Sequence, residues 1–419
     1  MLTRAAGHLA GLDPAMLFAP VAQEEKIGLA VSGGPDSLAL LMLFTHWRDT
    51  AGVPPAIVYT VDHRLRPEAA AEAELVRRLA IERGFEVRVL QWSGAKPETG
   101  IHAAARAARY RLMGAAMEED GAGILLTAHH LDDQAETVLM RLAHGSGARG
   151  LGAMRPFSEV EGVKIFRPLL AVRKEQLRAI VNAHGLRAAE DPSNADQGYE
   201  RARWRAMRPV LDEAGLTPER LAQFAGRMQR LDGLAARIAE DIWRAHVRID
   251  DFGIVHMARD VFTDAPEEAG LRVLRRALRH AGSGQRGELS AIEALHERLM
   301  RGQADAPVTL MGAVVAPRPQ EVLIYREAGR TGLPKARAEA AGAVVWDGRF
   351  TIEAADAVAI ASASSLTRRH FSELTGSVPE VPIAALRTAP LVTDMGGRIL
   401  ALGARVFDPC GRVGHVALT

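Results

Sequence analysis

The sequence predicts an α/β fold: a mostly parallel, doubly wound sheet, followed by a helical domain and a small mixed α+β domain. Three observations point there. Short apolar runs alternate with helical segments through the N-terminal half; those runs end in polar clusters; and 419 residues, 48% of them apolar, are enough for two or three cores. The expected domains are residues 1–215, 216–305 and 306–419.

Ile27 to Val31 is a short apolar run ending in Ser32-Gly33-Gly34, after which Leu38, Leu41, Met42 and Phe44 follow helical spacing. This reads as strand, tight turn, helix. Ala56 to Val61 is a second strand ending at Asp62-His63-Arg64, and a helix from about Pro67 to Arg83 opens with proline and stops at Gly84. Phe85 to Leu90 is a third strand, Ile101 to Glu119 a third helix, and Ile124 to Ala128 a fourth strand leading into His129 and a helix from about Asp132 to Leu142. Strands separated by helices require crossover connections, so the sheet is parallel with helices on both faces, and ligands bind at its carboxyl ends. Further on, Thr217 to Arg248 and Glu267 to Met300 read as charged amphipathic helical stretches, and Pro307 to Tyr325 and Ala343 to Ile352 alternate as strands do. Glycine-rich breaks lie at 282–287 and 329–332.

Composition excludes several classes. The longest apolar run, Leu38 to Phe44, is far short of a membrane span. The first residues lack a sustained apolar core before Asp13 and do not read as a secretory signal, so the expected compartment is the cytoplasm. The single cysteine, Cys410, rules out an internal disulfide and any Cys-x-x-Cys metal site. With 52 basic and 51 acidic residues the net charge is +1, which neither supports nor excludes nucleic acid. Forty-seven of the 52 cations are arginine, so each arginine cluster weighs less than it otherwise would.

Ser32-Gly33-Gly34-Pro35-Asp36-Ser37 lies between strand and helix, where glycines let the backbone approach an anion and the helix start offers unpaired NH groups. No Walker lysine motif is present, and no Gly-x-Gly-x-x-Gly follows the first strand. Asp36 is informative, because a carboxylate beside phosphates needs a cation between them, and Mg²⁺ commonly bridges the two. A plain helix-capping turn would use the same residue types. Ser-Gly-Gly-x-Asp-Ser in this context, however, matches the pyrophosphate loop of ATP pyrophosphatases.

In His129-His130-Leu131-Asp132-Asp133-Gln134-Ala135-Glu136-Thr137, Asp133 and Glu136 share a helix face suited to Mg²⁺, a cationic substrate, or both. The absence of His-Glu-x-x-His weighs against zinc, and Asp132 is equally suited to a cap. Arg106 and Arg109, three apart, suit an anion or a solvated face. Arg201, Arg203, Arg205 and Arg208 surround Trp204, a pattern suited to a phosphate backbone and a stacked base.

Taken in order, these blocks resemble the tRNA(Ile)-lysidine synthetases, members of the PP-loop ATP pyrophosphatases. Ser32 to Ser37 matches the pyrophosphate loop and Asp62-His63-Arg64-Leu65-Arg66 the second-strand motif. Ala105 to Tyr110, Thr127 to Thr137, Gly145-Ser146-Gly147, Arg167-Pro168-Leu169-Leu170, Glu190-Asp191-Pro192-Ser193-Asn194 and Tyr199 continue the match to about residue 208. His144 stands where the family has Arg, and Ala202 where it has Asn.

The resemblance implies an adenine nucleotide alpha-hydrolase-like PP-loop domain that uses ATP and Mg²⁺ to join L-lysine to C2 of the wobble cytidine of an isoleucine tRNA with a CAU anticodon. It assigns Ser32, Gly33, Gly34, Pro35, Asp36 and Ser37 to ATP, Asp36 and Asp133 to Mg²⁺, and Asp36, His129 and Asp133 to catalysis. Asp133 and Glu136 would receive the lysine ammonium, while Arg106, Arg109, Arg201, Arg203 and Arg205 would meet anionic groups of substrate or RNA. A homodimer is left open. A tRNA thiolation enzyme on the same fold generally needs cysteines, which Cys410 alone does not supply. An ammonia-using synthetase would need a glutaminase segment, and a noncatalytic RNA-binding protein would not need the acidic cluster.

Overall fold

The computed structural model describes residues 9–419 except 51, 66, 95, 98, 190–197, 199, 283, 285, 286, 378 and 379, and the side chain of His102. Arg66, Glu190 to Asn194 and Tyr199 of the motifs above therefore lie outside the described residues. The chain forms two compact units, Met1–Asp232 and Gly233–Thr419.

The first unit is built on a six-stranded sheet of order β3-β2-β1-β4-β6-β5, with β1 Ile27–Ala30, β2 Ala56–Asp62, β3 Glu86–Gln91, β4 Ile124–Leu126, β5 Phe157–Val160 and β6 Val163–Phe166. All pairings are parallel except that of β5 with β6. Its helices are α1 Pro14–Phe18, α2 Pro35–Thr50, α3 Ala69–Glu82, α4 Ile101–Asp120, α5 Leu131–Ala143, α6 Ala148–Leu151, α7 Lys174–Ala183, α8 Glu200–Ala206 and α9 Arg208–Glu213, with α10 Pro218–His246 beginning here and running into the second unit.

Strand alternation sends successive side chains to opposite faces, and both faces are covered. Ile27, Leu29, Val58 and Leu126 join the core under α2, α3 and α7; Ile57, Tyr59, Leu125 and Ile165 join a second core under α4, with Tyr110, Met113 and Met117. Gly28 lets two layers approach, since a Cβ there would sit 2.9 Å from Tyr59 Cε2. Because β2 and β4 flank β1 on opposite sides, the chain order reverses there, opening a crevice at the carboxyl ends of β1 and β4.

The second unit holds β7 Val247–Ile249, β8 Val255–Ala258, β9 Val308–Leu310, β10 Ala313–Pro317 and β11 Glu321–Arg326 in an antiparallel sheet of order β7-β8-β11-β10-β9. Helices α11 Glu267–Ala281 and α12 Leu289–Met300 share a core with one face of it, through Val255, Met257, Val315, Val322 and Ile324. The segment expected to be helical thus contributes two strands, and the expected division between 305 and 306 falls inside one sheet and one core. Beyond lie β12 Ala336–Ala338, β13 Gly342–Trp346, β14 Phe350–Ala354, β15 Val358–Ser362, β16 Pro390–Asp394, β17 Ile399–Leu402, β18 Arg405–Val406 and β19 Val413–Leu418, with α13 Arg368–Thr375 and α14 Ile383–Leu386. They form sheets β12-β15-β16-β17-β18 and β13-β14-β19 around a shared core of Trp346, Phe350, Ile360, Val392 and Val416. Among the described residues no helix is long and apolar enough to cross a membrane.

Candidate active site at the carboxyl ends of β1 and β4

The loop after β1 turns sharply at Gly33, whose φ of +86° is accessible to glycine at little cost. Its polar groups close on themselves. Ser37 Oγ donates to the Gly34 carbonyl at 2.9 Å and accepts from the Ser32 N–H at 3.1 Å, while the two hydroxyls lie 3.3 Å apart. The Gly33 carbonyl accepts from the Ala189 N–H at 2.9 Å. Pro35 and Asp36 begin α2, so the loop presents a helix N-terminus, where backbone N–H groups and the helix dipole favour negative charge.

The second wall comes from β4 and α5. His130 caps α5: its Nδ1 accepts from the Asp133 N–H at 3.3 Å, and the Asp133 carboxylate accepts from the His130 N–H at 3.1 Å, a reciprocal box. This leaves Nε2 to face two acids, 3.4 Å from Asp36 Oδ2 and 3.5 Å from Asp133 Oδ2. The loop after β1 and the helix after β4 are thus joined through one buried imidazole. Burial opposes charge on both Asp36 and His130, yet each other's proximity prevails. The Asp36 carboxyl is held below its ordinary range by the His130 hydrogen bond and charge, with Lys174 and Arg178 adding to it. The His130 ring is raised by Asp36 and Asp133. A second proton at Nδ1 would cost the weak cap bond.

The other oxygen of Asp36, Oδ1, is buried and has no hydrogen-bond partner among the described residues. Such an atom is costly unless a ligand satisfies it. With Asp133 converging on the same imidazole nitrogen, the donor set is two carboxylates beside a phosphate loop, the hard-oxygen chemistry Mg²⁺ takes when it borrows phosphate oxygens. No cluster of three or more His, Cys, Asp or Glu able to hold a metal by protein ligands alone occurs among the described residues.

His129 lies on the opposite, cationic side. Its Nδ1 is 2.9 Å from the Thr127 hydroxyl, and burial pushes its pKa down to about 4, with Arg167, Arg106 and Arg201 adding to the shift and Asp133 opposing it. His63, at the end of β2, is likewise lowered to about 4, by burial and by Arg109. Arg109 is half-buried and has no ion pair or hydrogen bond among the described residues; burial lowers its pKa. The exposed Arg106 lies over the Tyr110 ring at 5.2 Å.

Glu136 is buried and engaged: Arg205 Nε donates to it at 2.6 Å and a second guanidinium nitrogen at 3.1 Å, with Asp133 Oδ1 3.8 Å from the same group. Arg205 therefore turns inward, as does Arg208, which meets Asp212 and Asp132. Arg201 and Arg203 are exposed. Trp204 is partly buried against Ala135, Val138 and Leu139 of α5, so it contributes to a core where the sequence suggested a stacking surface. Asp132 is architectural, accepting the Lys174 N–H at 2.9 Å at the start of α7.

Asp36, Asp133 and His129 thus lie at the carboxyl ends of β1 and β4, where Asp36 and Asp133 meet at His130 beside the loop of Ser32 to Ser37. The residue sequence reasoning passed over is His130, whose signal was its position three before Asp133 at a helix start. Arg167 was quoted only as part of a motif. It is buried, donates to the Arg155 carbonyl at 2.9 Å and to Ser158 Oγ at 2.8 Å, and its Nε has no partner among the described residues.

A PP-loop domain family matches residues 12–211. A tRNA(Ile)-lysidine synthase of Bradyrhizobium sp. (strain BTAi1) is 44% identical over 295 residues, 68% of this chain and 82% of that one. One from Rhodopseudomonas palustris is 42% identical over 328 residues, 75% of this chain and 94% of that one. One from Brucella suis biovar 1 is 38% identical over 355 residues, 81% of this chain and 77% of that one. With a loop, an acidic helix start and a cationic wall gathered where the fold places a nucleotide, and with identity at this level running well beyond the PP-loop domain, the chain belongs to the tRNA(Ile)-lysidine synthase family.

Proposed function

We propose that the protein ligates L-lysine to C2 of the wobble cytidine, position 34, of an isoleucine tRNA with a CAU anticodon, consuming ATP with Mg²⁺ as cofactor and changing the codon read from AUG to AUA. The observation that carries this reading is the junction of Asp36, His130 and Asp133 between the phosphate loop and α5. The O2 oxygen of cytosine is a poor leaving group. In the first step it attacks the α-phosphorus of ATP, the bond to the β-phosphate breaks, and pyrophosphate departs against Ser32 to Ser37. In the second, the lysine side-chain amine attacks C2, the C2–O2 bond breaks, AMP leaves with that oxygen, and the amine loses a proton.

Asp36 and Asp133 would hold Mg²⁺, which neutralises charge on the phosphate oxygens. The amine needs deprotonation, since its reference pKa is about 10.4. Asp133 and Glu136 attract it as an ammonium, which at Glu136 exchanges with the Arg205 guanidinium; the cations near His129 then favour its neutral form. Arg106 and Arg109 take a phosphate or the lysine carboxylate, and Arg201, Arg203 and Arg205 the RNA or nucleotide anions. The wobble base leaves its stack to enter, as an anticodon loop allows. Residues beyond the catalytic domain grip tRNA outside the anticodon, and the setting is the cytoplasm, where ATP and tRNA are found together.

Incubation with Mg-ATP, labelled lysine and the CAU isoleucine tRNA transcript should place label on the wobble cytidine. Asp36→Asn should lower incorporation by about 10²-fold or more, in line with losing a charge-stabilising group from an active site. Unchanged incorporation by Asp36→Asn removes the metal role from that residue. Pyrophosphate release that depends on tRNA, with no label transferred, keeps adenylation and refutes lysine as the nucleophile.

A further inference from the structure

The His130 side chain is 1% exposed, and its two ring nitrogens face different groups of the site. Nδ1 accepts the Asp133 N–H at 3.3 Å as the cap of α5. A backbone N–H can only donate, so Nδ1 is the accepting nitrogen and the hydrogen of the ring sits on Nε2. That N–H stands between two carboxylates, with Nε2 3.4 Å from Asp36 Oδ2 and 3.5 Å from Asp133 Oδ2.

The two acids depend on it unequally. Asp133 is also held by other groups: its Oδ2 accepts the His130 backbone N–H at 3.1 Å, and its Oδ1 lies 3.8 Å from the Arg205 guanidinium. Asp36 is half-buried in the first turn of α2, and among the described residues no other side chain forms a hydrogen bond or ion pair with its carboxylate. Its Oδ1 is left buried and without a partner among those residues. Without the imidazole N–H, nothing comparable would select one rotamer of Asp36, and two like charges from different strand ends would lose the donor that lies between them.

We propose that His130 is a positioning residue for the Mg²⁺ site: its Nε2–H holds Asp36 through Oδ2 and leaves Oδ1 for the cation, so that Asp36 and Asp133 are set for the metal before it arrives. The proposal rests on the reading above, in which Asp36 and Asp133 hold Mg²⁺, and adds to it a residue that touches neither metal nor substrate. Carboxylates that ligate metals are themselves hydrogen-bonded from behind, and removal of such a partner costs about 10–100-fold in metal affinity.

The test uses the full chain and a non-hydrolysable ATP analogue, whose dissociation constant is measured with and without excess Mg²⁺; the ratio of the two is the metal-linked gain. Asparagine is a favoured helix cap, so His130→Asn keeps the role of Nδ1 and removes the donor at Nε2. His130→Gln does the reverse, since its longer side chain carries an amide N–H out to where Nε2 lies and caps poorly. His130→Asn should melt close to the wild-type chain in metal-free buffer, while its metal-linked gain falls by about tenfold or more. His130→Gln should melt earlier yet keep more of the gain. His130→Ser, another favoured cap with no distal donor, should repeat the result of His130→Asn and decides the question if that variant does not fold. The Mg²⁺ concentration giving half-maximal tRNA-dependent pyrophosphate release should rise most in the variants that keep the cap and lack the donor. A wild-type gain in those cap-retaining variants, with the gain abolished by Asp36→Asn, would overturn the positioning role and leave the metal site standing. Equal loss of the gain in His130→Asn and His130→Gln, each with a lowered melting midpoint, would reduce His130 to a helix cap and overturn the role as well. Absence of any gain from Mg²⁺ in the wild-type chain would overturn the metal reading itself, and the positioning role with it.

Discussion

Three residues of the site owe their behaviour to where the chain puts them. Asp36 and His130 come from different strand ends, yet each makes the other's charged form more favourable, against the cost of burial. His129, one residue away from His130, has the opposite setting: burial and three nearby guanidiniums keep it neutral at pH 7. Asp36 and Asp133 were legible because a carboxylate beside a phosphate loop has few other uses. His130 was not, because its role depends on a crossing of two loops that no local pattern states. The His129 environment has a measurable consequence. Its folded pKa, about 4, lies below the unfolded value near 6.5, so between those limits the unfolded chain binds the additional proton. The stability that comes from keeping this ring neutral is complete above about pH 6.5 and is lost as pH falls toward 4, a contribution of a few kcal/mol at about 1.4 kcal/mol per unit. Urea unfolding at pH 7.5 and pH 5 should therefore show a smaller drop in stability for His129→Gln than for the wild-type chain. An identical drop in both would refute the assignment of this ring as a buried neutral group.

At the scale of elements, the parallel half was readable because each of its strands is an apolar run and each helix has a long periodic face. Helix α4, expected at 101–119, spans 101–120, and α5, expected at 132–142, spans 131–143. The β5–β6 hairpin escaped notice because Phe157–Val160 is exposed along much of its length and so lacks an apolar signature. Strands β7 and β8 have three and four residues, too few for alternation to register beside the long helix α10. Trp204 shows a different limit, since an aromatic among arginines looks the same in sequence whether it stacks on a base or packs on a helix. Within the sheet, the position of Gly28 sets a packing distance that can be tested. Gly28→Ala would bring a methyl to 2.9 Å from Tyr59 Cε2 and 3.1 Å from Leu125 Cδ1, both in a filled core. Overpacking of this kind costs about 1–3 kcal/mol. Thermal unfolding should show the loss, and a midpoint equal to that of the wild-type chain would mean that α4 shifts to make room without strain.

For the whole molecule, the division into units decides which fragments can stand alone. Ending the chain at Ala306 would respect the boundary that composition suggests, but it would remove β9, β10 and β11 while leaving β8 and both helices behind. Val255 and Met257 would lose Val315, Val322 and Ile324, each fully buried side chain being worth about 1.5–3 kcal/mol. Such a fragment should aggregate or melt broadly. Ending the chain after His246 instead removes β7 to β19 and keeps α10, whose Leu221 and Ala225 pack on α5. The resulting protein retains the phosphate loop, the Asp36–His130–Asp133 junction and the cationic wall, all of which lie in the first unit. It should unfold cooperatively and release pyrophosphate with an isolated anticodon stem-loop at high concentration, while its KM for full-length tRNA should rise at least about tenfold, equivalent to about 1.4 kcal/mol of lost binding. If this protein folds cooperatively but releases no pyrophosphate with the stem-loop at any concentration, the second unit takes part in building the reactive complex, and its proposed role as a grip on tRNA alone would be wrong. If its KM for full-length tRNA stays at the wild-type value, the contacts that hold tRNA lie in the first unit.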